Sequence, residues 1–313
     1  MPVDPALVGS ARPRQSPRST HVNEPWTMRF AAGLGESAPQ FLDNRGPLLA
    51  HPCFLAGALE NPCMFLSVYA VGVTNREASA VVHASIDSLF PAPLRPGSEL
   101  STTFGVVAAA PRRSGVELTT QIDHSVEGQD VCRSRWGCVI MGQHLPEAEL
   151  PPPSDDWPAL PTSAAPDSAT EVPLAIAPTA AHIWEACIQD PTHGRRLGEM
   201  ISPHSDARVA EQAGFPARTL TGVCLLGTAV SALSRELGFG LEAVRRIAAG
   251  FAAPVYIDAE QVEVGLRFWQ EGQRSAVFFE VLLPADGEGR RKQAIRSGFV
   301  EWSDVESTPV SKL

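Results

Sequence analysis

Histidine and carboxylate side chains are the usual carriers of protons near neutral pH. They meet in one short stretch of this chain, Gly198-Glu199-Met200-Ile201-Ser202-Pro203-His204-Ser205-Asp206. Glu199 and His204 stand five positions apart, with Ser202 and Asp206 as polar neighbours. A carboxylate and an imidazole brought together can hold and activate a water molecule. Downstream come Ala213-Gly214-Phe215-Pro216 and then Thr221-Gly222, where a long apolar segment begins. Its first turns are apolar on nearly every face, and Gly238 is a natural stop. Such a segment predicts a helix buried all round, wrapped by a sheet.

The elements that must position these residues occur twice. Leu-Gly-Glu followed by Pro and Asp appears as Glu36, Pro39 and Asp43, and again as Glu199, Pro203 and Asp206, with the prolines one position out of step. An apolar stretch at 53–72 can play in the first half the part of the helix after Gly222 in the second. Strand-like segments follow in each half: Glu99–Ala109, Gly115–His124 and Val131–Met141, then Gln261–Gln270, Ser275–Leu283 and Lys292–Trp302. Between the halves, 145–172 contains Pro151-Pro152-Pro153 and further Pro, Ser and Ala without an apolar period. It reads as a linker. The expected layout is a flexible tail at 1–22, an N-terminal domain at 23–144, the linker, a C-terminal domain at 173–310, and a terminal tripeptide at 311–313.

Composition narrows the function. The net charge is −10 and no run of Lys or Arg forms a stripe, which argues against nucleic acid as a partner. Six cysteines without a CxxC pair read as free, mostly buried thiols. No stretch reaches about 18 unbroken apolar residues, so no membrane span is expected. No dinucleotide fingerprint, phosphate loop or metal-ligand spacing is present, so neither a metal nor a cofactor is expected. The final Ser311-Lys312-Leu313 reads as a peroxisomal address. The expectation is a peroxisomal protein meeting an import receptor if the source is a eukaryote, and a cytoplasmic one otherwise.

Residues 198–222 resemble the MaoC-like dehydratase and R-specific enoyl-CoA hydratase family, whose signature runs Gly-Asp-x-Asn-Pro-(Ile/Leu)-His-x-Asp. In that family an Ala-Gly-Phe-Pro stretch follows, and then a His-Gly pair that opens the central helix. The resemblance extends to Pro-Leu-Arg-Pro-Gly at 93–97 and Phe-Ala-Ala-Pro-Val-Tyr at 251–256. It implies an α+β double hotdog: two curved antiparallel sheets, each wrapped around a central helix, making a pseudo-dimer that works as a monomer or homodimer. The resemblance also implies one working site. In the first half the position of the family histidine is held by Phe41, which cannot exchange protons, so that half is expected to be structural.

The implied reaction interconverts trans-2-enoyl and (R)-3-hydroxyacyl thioesters. Glu199 and His204 would be catalytic, the carboxylate taking a proton while its partner supplies one to the α-carbon. The backbone N–H of Gly222 would stabilise the enolate oxygen at a helix N-terminus. Ser202, Asp206 and Thr221 would support the site. Coenzyme A or an acyl carrier belongs to the substrate, and Arg195, Arg196, Arg245 and Arg246 are candidates to meet its phosphates. The chain departs from the signature in carrying Glu199 for Asp, Ile201 for Asn and Thr221 for His. Alternative readings are a hotdog thioesterase, a specialised biosynthetic dehydratase, or a module that binds acyl thioesters without turnover.

Overall fold

The computed structural model describes residues 17–73, 81–143, 157–188, 202–257, 260–272 and 275–303. Twelve strands and six α-helices follow in order within these residues. In the first half they are β1 (Arg18–His21), α1 (Glu24–Gly33), α2 (Pro39–Leu42), α3 (Asn61–Ala70), β2 (Val81–Leu89), β3 (Glu99–Arg112), β4 (Gly115–Val126) and β5 (Gln129–Met141). The second half has β6 (Thr170–Ile176), α4 (Ala180–Cys187), α5 (Ala207–Gln212), β7 (Arg218–Leu220), α6 (Gly222–Leu237), β8 (Val244–Phe251), β9 (Val255–Ile257), β10 (Val262–Trp269), β11 (Ala276–Leu282) and β12 (Gln293–Trp302).

Ten of the strands form one antiparallel sheet in the order β1-β3-β4-β5-β2-β8-β12-β11-β10-β6. Reading inward from either edge gives the same sequence of roles. Strand β1 corresponds to β6, β3 to β10, β4 to β11, β5 to β12 and β2 to β8. The internal repeat therefore becomes a pseudo-twofold, with its seam at the β2–β8 pairing, where Ser85 faces Gly250 and Leu89 faces Arg246. Each half wraps its sheet around a central helix. In the second half this is α6, capped by the Thr221 side chain on Cys224 N and ended by Gly238 at φ 73°. In the first it runs over 54–70, and its middle, Ala56–Glu60, widens into a π-turn before Pro62.

Alternation explains the strands. Along β4, buried Val116, Leu118, Thr120 and Ile122 alternate with residues facing outward. The β4–β5 hairpin turns on Glu127 and Gly128, at φ 51° and 80°, the left-handed pair that a two-residue turn requires. The two halves interlock as well: Leu34, just after α1, packs so closely on Gly227 of α6 that a Cβ there would come within 2.7 Å of it. All six cysteines are free and buried. Among the described residues, no helix is long and apolar enough to cross a membrane.

Two boundaries differ from the expected layout. Arg18–His21, placed in the tail, is an edge strand paired with β3 from Arg18↔Thr102 to His21↔Glu99. The linker reading also ends too late, because β6 begins at Thr170. Residues 157–169 lie on the outer face of the sheet. Leu160, Ala165 and Ala169 cover a second small core of Ala248, Trp269, Ala276, Phe278 and Phe299. Arg246 fastens this strap. It is 4% exposed, pairs with Asp87 across the seam at 2.7 Å, and donates to the carbonyls of Pro158 and Ala159. Arg246 is therefore occupied, and the expectation that it meets a carrier phosphate is corrected. The neighbouring Arg245 donates to the carbonyls of Glu242 and Val244.

Candidate active site

His204 lies in the short turn that runs into α5. Its Nδ1 is 2.8 Å from the backbone carbonyl of Thr219, on β7, and 2.9 Å from the Thr219 hydroxyl. A carbonyl can only accept, so Nδ1 carries the proton and Nε2 keeps its lone pair. Burial holds the His204 pKa below the ordinary histidine value, against the Thr219 hydrogen bond and the charge of Glu185, both of which raise it. The ring is thus a neutral imidazole whose free nitrogen can accept a proton. Trp184 of α4 meets it edge-on, with ring centroids 6.5 Å apart.

The Thr219 carbonyl does more than choose the tautomer. Thr219 is three residues before Gly222, so fixing His204 to it brings the imidazole into the neighbourhood of the α6 N-terminus. Thr221 is 7% exposed and caps the helix, which is the role its position predicts. Gly222 is the first helical residue, and its N–H is one that the helix cannot pair internally. The Phe251 ring packs against it: a Cβ at 222 would sit 2.6 Å from that ring. The ring of Phe251 also meets His83 at 4.6 Å, and His83 stacks on Trp136 at 4.1 Å, so the first half supplies part of the wall behind Gly222.

Ser202 is tied into the same turn. Its Oγ accepts the His204 N–H at 3.0 Å and donates to the Glu185 carboxylate. Asp206 takes a different part. It caps α5 by accepting from Arg208 N at 2.8 Å and pairs with the Arg208 side chain, which holds its carboxyl well below the usual range. That is a helix-capping job, and the Asp206 carboxylate hydrogen-bonds to Arg208 rather than to His204. Glu199, Ile201, Arg195 and Arg196 lie outside the described residues, as does Ser311-Lys312-Leu313.

Glu185 was not singled out by the sequence reading. It is 8% exposed and sits on the stripe of α4 that buries Ala181, Trp184 and Cys187. A carboxylate placed among buried positions of an amphipathic helix is the signal that would have found it.

The corresponding place in the first half is filled but closed. Phe41 is 1% exposed and packs against His51, with centroids 6.0 Å apart. Glu36, the match of Glu199, accepts from Ser37 N and Ala38 N at 2.8 and 3.0 Å and is held by the Ser231 hydroxyl of α6. His51 Nδ1 accepts from Cys53 N at 3.1 Å, so its Nε2 carries the proton, donated to Ser231 Oγ at 3.0 Å. The order Cys53 N–H to His51, His51 to Ser231 and Ser231 to Glu36 runs in one direction. It clasps the two halves together and leaves no basic nitrogen on His51. A second buried set lies nearby, where the Glu60 carboxylate accepts from His124 Nε2 at 3.1 Å, Ser134 Oγ at 2.8 Å and Trp136 Nε1 at 2.5 Å.

Two five-stranded units, each closed around a central helix and joined edge to edge, define the double hotdog class. Solved structures share it over nearly the whole chain. A MaoC-like dehydratase from Phytophthora capsici is 20% identical with a TM-score of 0.71, over 93% of this chain and 96% of that one. The full-length peroxisomal multifunctional enzyme type 2 from Drosophila melanogaster is 18% identical with a TM-score of 0.65, over 92% of this chain and 48% of that one. A protein assigned as an oleoyl thioesterase, from Lactobacillus plantarum, is 11% identical with a TM-score of 0.52. At these identities the likeness is one of fold. No model of a known protein family matches the chain, and no curated protein sequence does.

Proposed function

We propose that this protein is an acyl-thioester hydratase or dehydratase with its single site in the second half. The observation that carries the reading is the seat of His204: Nδ1 is bound to the carbonyl of Thr219, itself three residues before the first N–H of α6, and Nε2 is left as a base. On this reading Glu199 and His204 hold the water. His204 Nε2 takes one of its protons as the oxygen bonds to C3 of the enoyl chain. The π electrons move toward the thioester oxygen, where the Gly222 N–H stabilises the enolate. The imidazolium then returns the proton to the α-carbon, so water is added with no net change in the protein. This assigns the proton to His204 rather than to the carboxylate, which is left to orient the water by accepting its second hydrogen. The reverse sequence dehydrates a 3-hydroxyacyl thioester.

The thioester and its carrier, whether coenzyme A or an acyl carrier, enter as substrate. The test is incubation with trans-2-enoyl-CoA esters of increasing length, following enoyl absorbance and free thiol together. Loss of absorbance with the thioester intact supports the proposal. Thiol release without hydration identifies a thioesterase instead. Binding with neither change identifies a non-catalytic module.

A further inference from the structure

On the hydratase reading, we propose that Glu185 is a positioning residue of the site, acting on His204 through Ser202 and through its own charge. Three observations converge on it. First, the carboxylate is almost fully buried on a helix that has no other use for a charge: its buried neighbours are Ala181, Trp184 and Cys187. A carboxylate there costs free energy unless something offsets it. Second, the hydrogen bonds have a fixed direction. The His204 N–H occupies a lone pair of Ser202 Oγ, and the Ser202 proton goes to Glu185. The side chain of α4 thereby fixes the backbone at the catalytic histidine. The family signature has Pro at the position of Ser202, and a proline could not relay this bond. Third, the Glu185 charge acts on the imidazole, raising its pKa against the effect of burial.

The groups that face His204 among the described residues come from two elements and its own turn. Thr219 of β7 offers a carbonyl and a hydroxyl, Trp184 and Glu185 come from α4, and Ser202 from the turn. Glu185 is the charged one among them. When His204 takes the proton of water it becomes an imidazolium, and an anion facing it lowers the cost of that state. Glu185 therefore serves both the resting geometry and the charged intermediate without touching the substrate.

The experiment uses the full chain and four variants: Glu185→Gln, Glu185→Ala, Ser202→Ala and the double Glu185→Ala/Ser202→Ala. Glu185→Gln keeps the volume and an oxygen for Ser202 but removes the charge. The His204 ring is titrated by NMR in wild type and Glu185→Gln, which needs no substrate. The His204 pKa falls in the variant, and the acid limb of kcat/KM moves to lower pH with it. In the cycle, Glu185→Ala and Ser202→Ala each lower kcat about tenfold with KM little changed, and the double variant is no slower than either single one. An unmoved His204 titration overturns the proposal, and so do losses that multiply in the double variant. Should the wild type hydrate no enoyl thioester, the hydratase reading falls, while the titration still decides whether Glu185 acts on His204.

Discussion

Lowering the pH from 7 to 5 should weaken the fold through His51, by an amount that the structure sets. His51 is 1% exposed, and burial pushes its pKa down to about 4, only partly offset by the charge of Glu36. In the unfolded chain the same ring titrates near the ordinary value of about 6.5. Between these values the unfolded state binds a proton that the folded state refuses, so stability falls as the pH falls. Integrated from pH 7 to 5, the difference is roughly 2 kcal/mol for this one residue. Glu36 adds nothing in that window. Its pKa lies below the ordinary carboxylate value, so its share is lost only at lower pH still. His83 is pushed down to about 3 by burial between Trp136 and Phe251 and acts with the same sign, but it is partly open to solvent and contributes less. The assay is urea unfolding at both pH values, in wild type and His51→Gln. The glutamine keeps an N–H for Ser231 but cannot titrate. The pH-dependent loss should shrink by roughly 2 kcal/mol in the variant. An equal loss in both proteins would refute the assignment of a neutral, buried His51.

Other changes test the seam and the helix entry. Ser231→Ala removes the middle of the clasp and leaves the His51 N–H and a Glu36 oxygen short of a partner, which should cost roughly 1–3 kcal/mol in urea unfolding. Arg246→Met strands Asp87 and releases two carbonyls of the strap. It should cost about 3 kcal/mol and open the chain near Trp157 to limited proteolysis, which gel analysis would read. Gly222→Ala forces a methyl into the Phe251 ring, costing about 1–3 kcal/mol and lowering enoyl turnover. Combining it with Phe251→Leu should recover part of both, read by thermal melts and the absorbance assay.

The sequence was most legible where a segment is specified by its own residues. Strands β3, β4, β5, β10, β11 and β12 fall almost where the sequence placed them, because they alternate polar and apolar residues or are rich in β-branched and aromatic ones, with turn residues between them. Helix α6 was legible for the same reason, with Thr221 and Gly238 marking both limits. The seam strands β2 and β8 were not. His83, Ser85 and Asp87 in one, and Arg245 and Arg246 in the other, look like loop residues until the halves meet and Asp87 closes on Arg246, 159 positions away. The clasp is hidden in the same way, since His51 and Ser231 are separated by 180 positions. At the candidate site, the motif located His204 and the helix entry at Thr221-Gly222. Of the partners that set the state of the histidine, Thr219 was invisible because it acts through its backbone, whereas Glu185, on a neighbouring helix, left only the trace of a carboxylate on a buried stripe.

The central claim is that His204 is the base of a hydration site, and one comparison tests it most directly. Wild type and His204→Ala, both shown folded by circular dichroism, are assayed for water addition to the trans-2-enoyl-CoA ester that wild type turns over fastest. The account predicts hydration by wild type and a loss of about 10²–10⁴-fold in the variant, the range expected for a general base. Equal rates in the two proteins would contradict it.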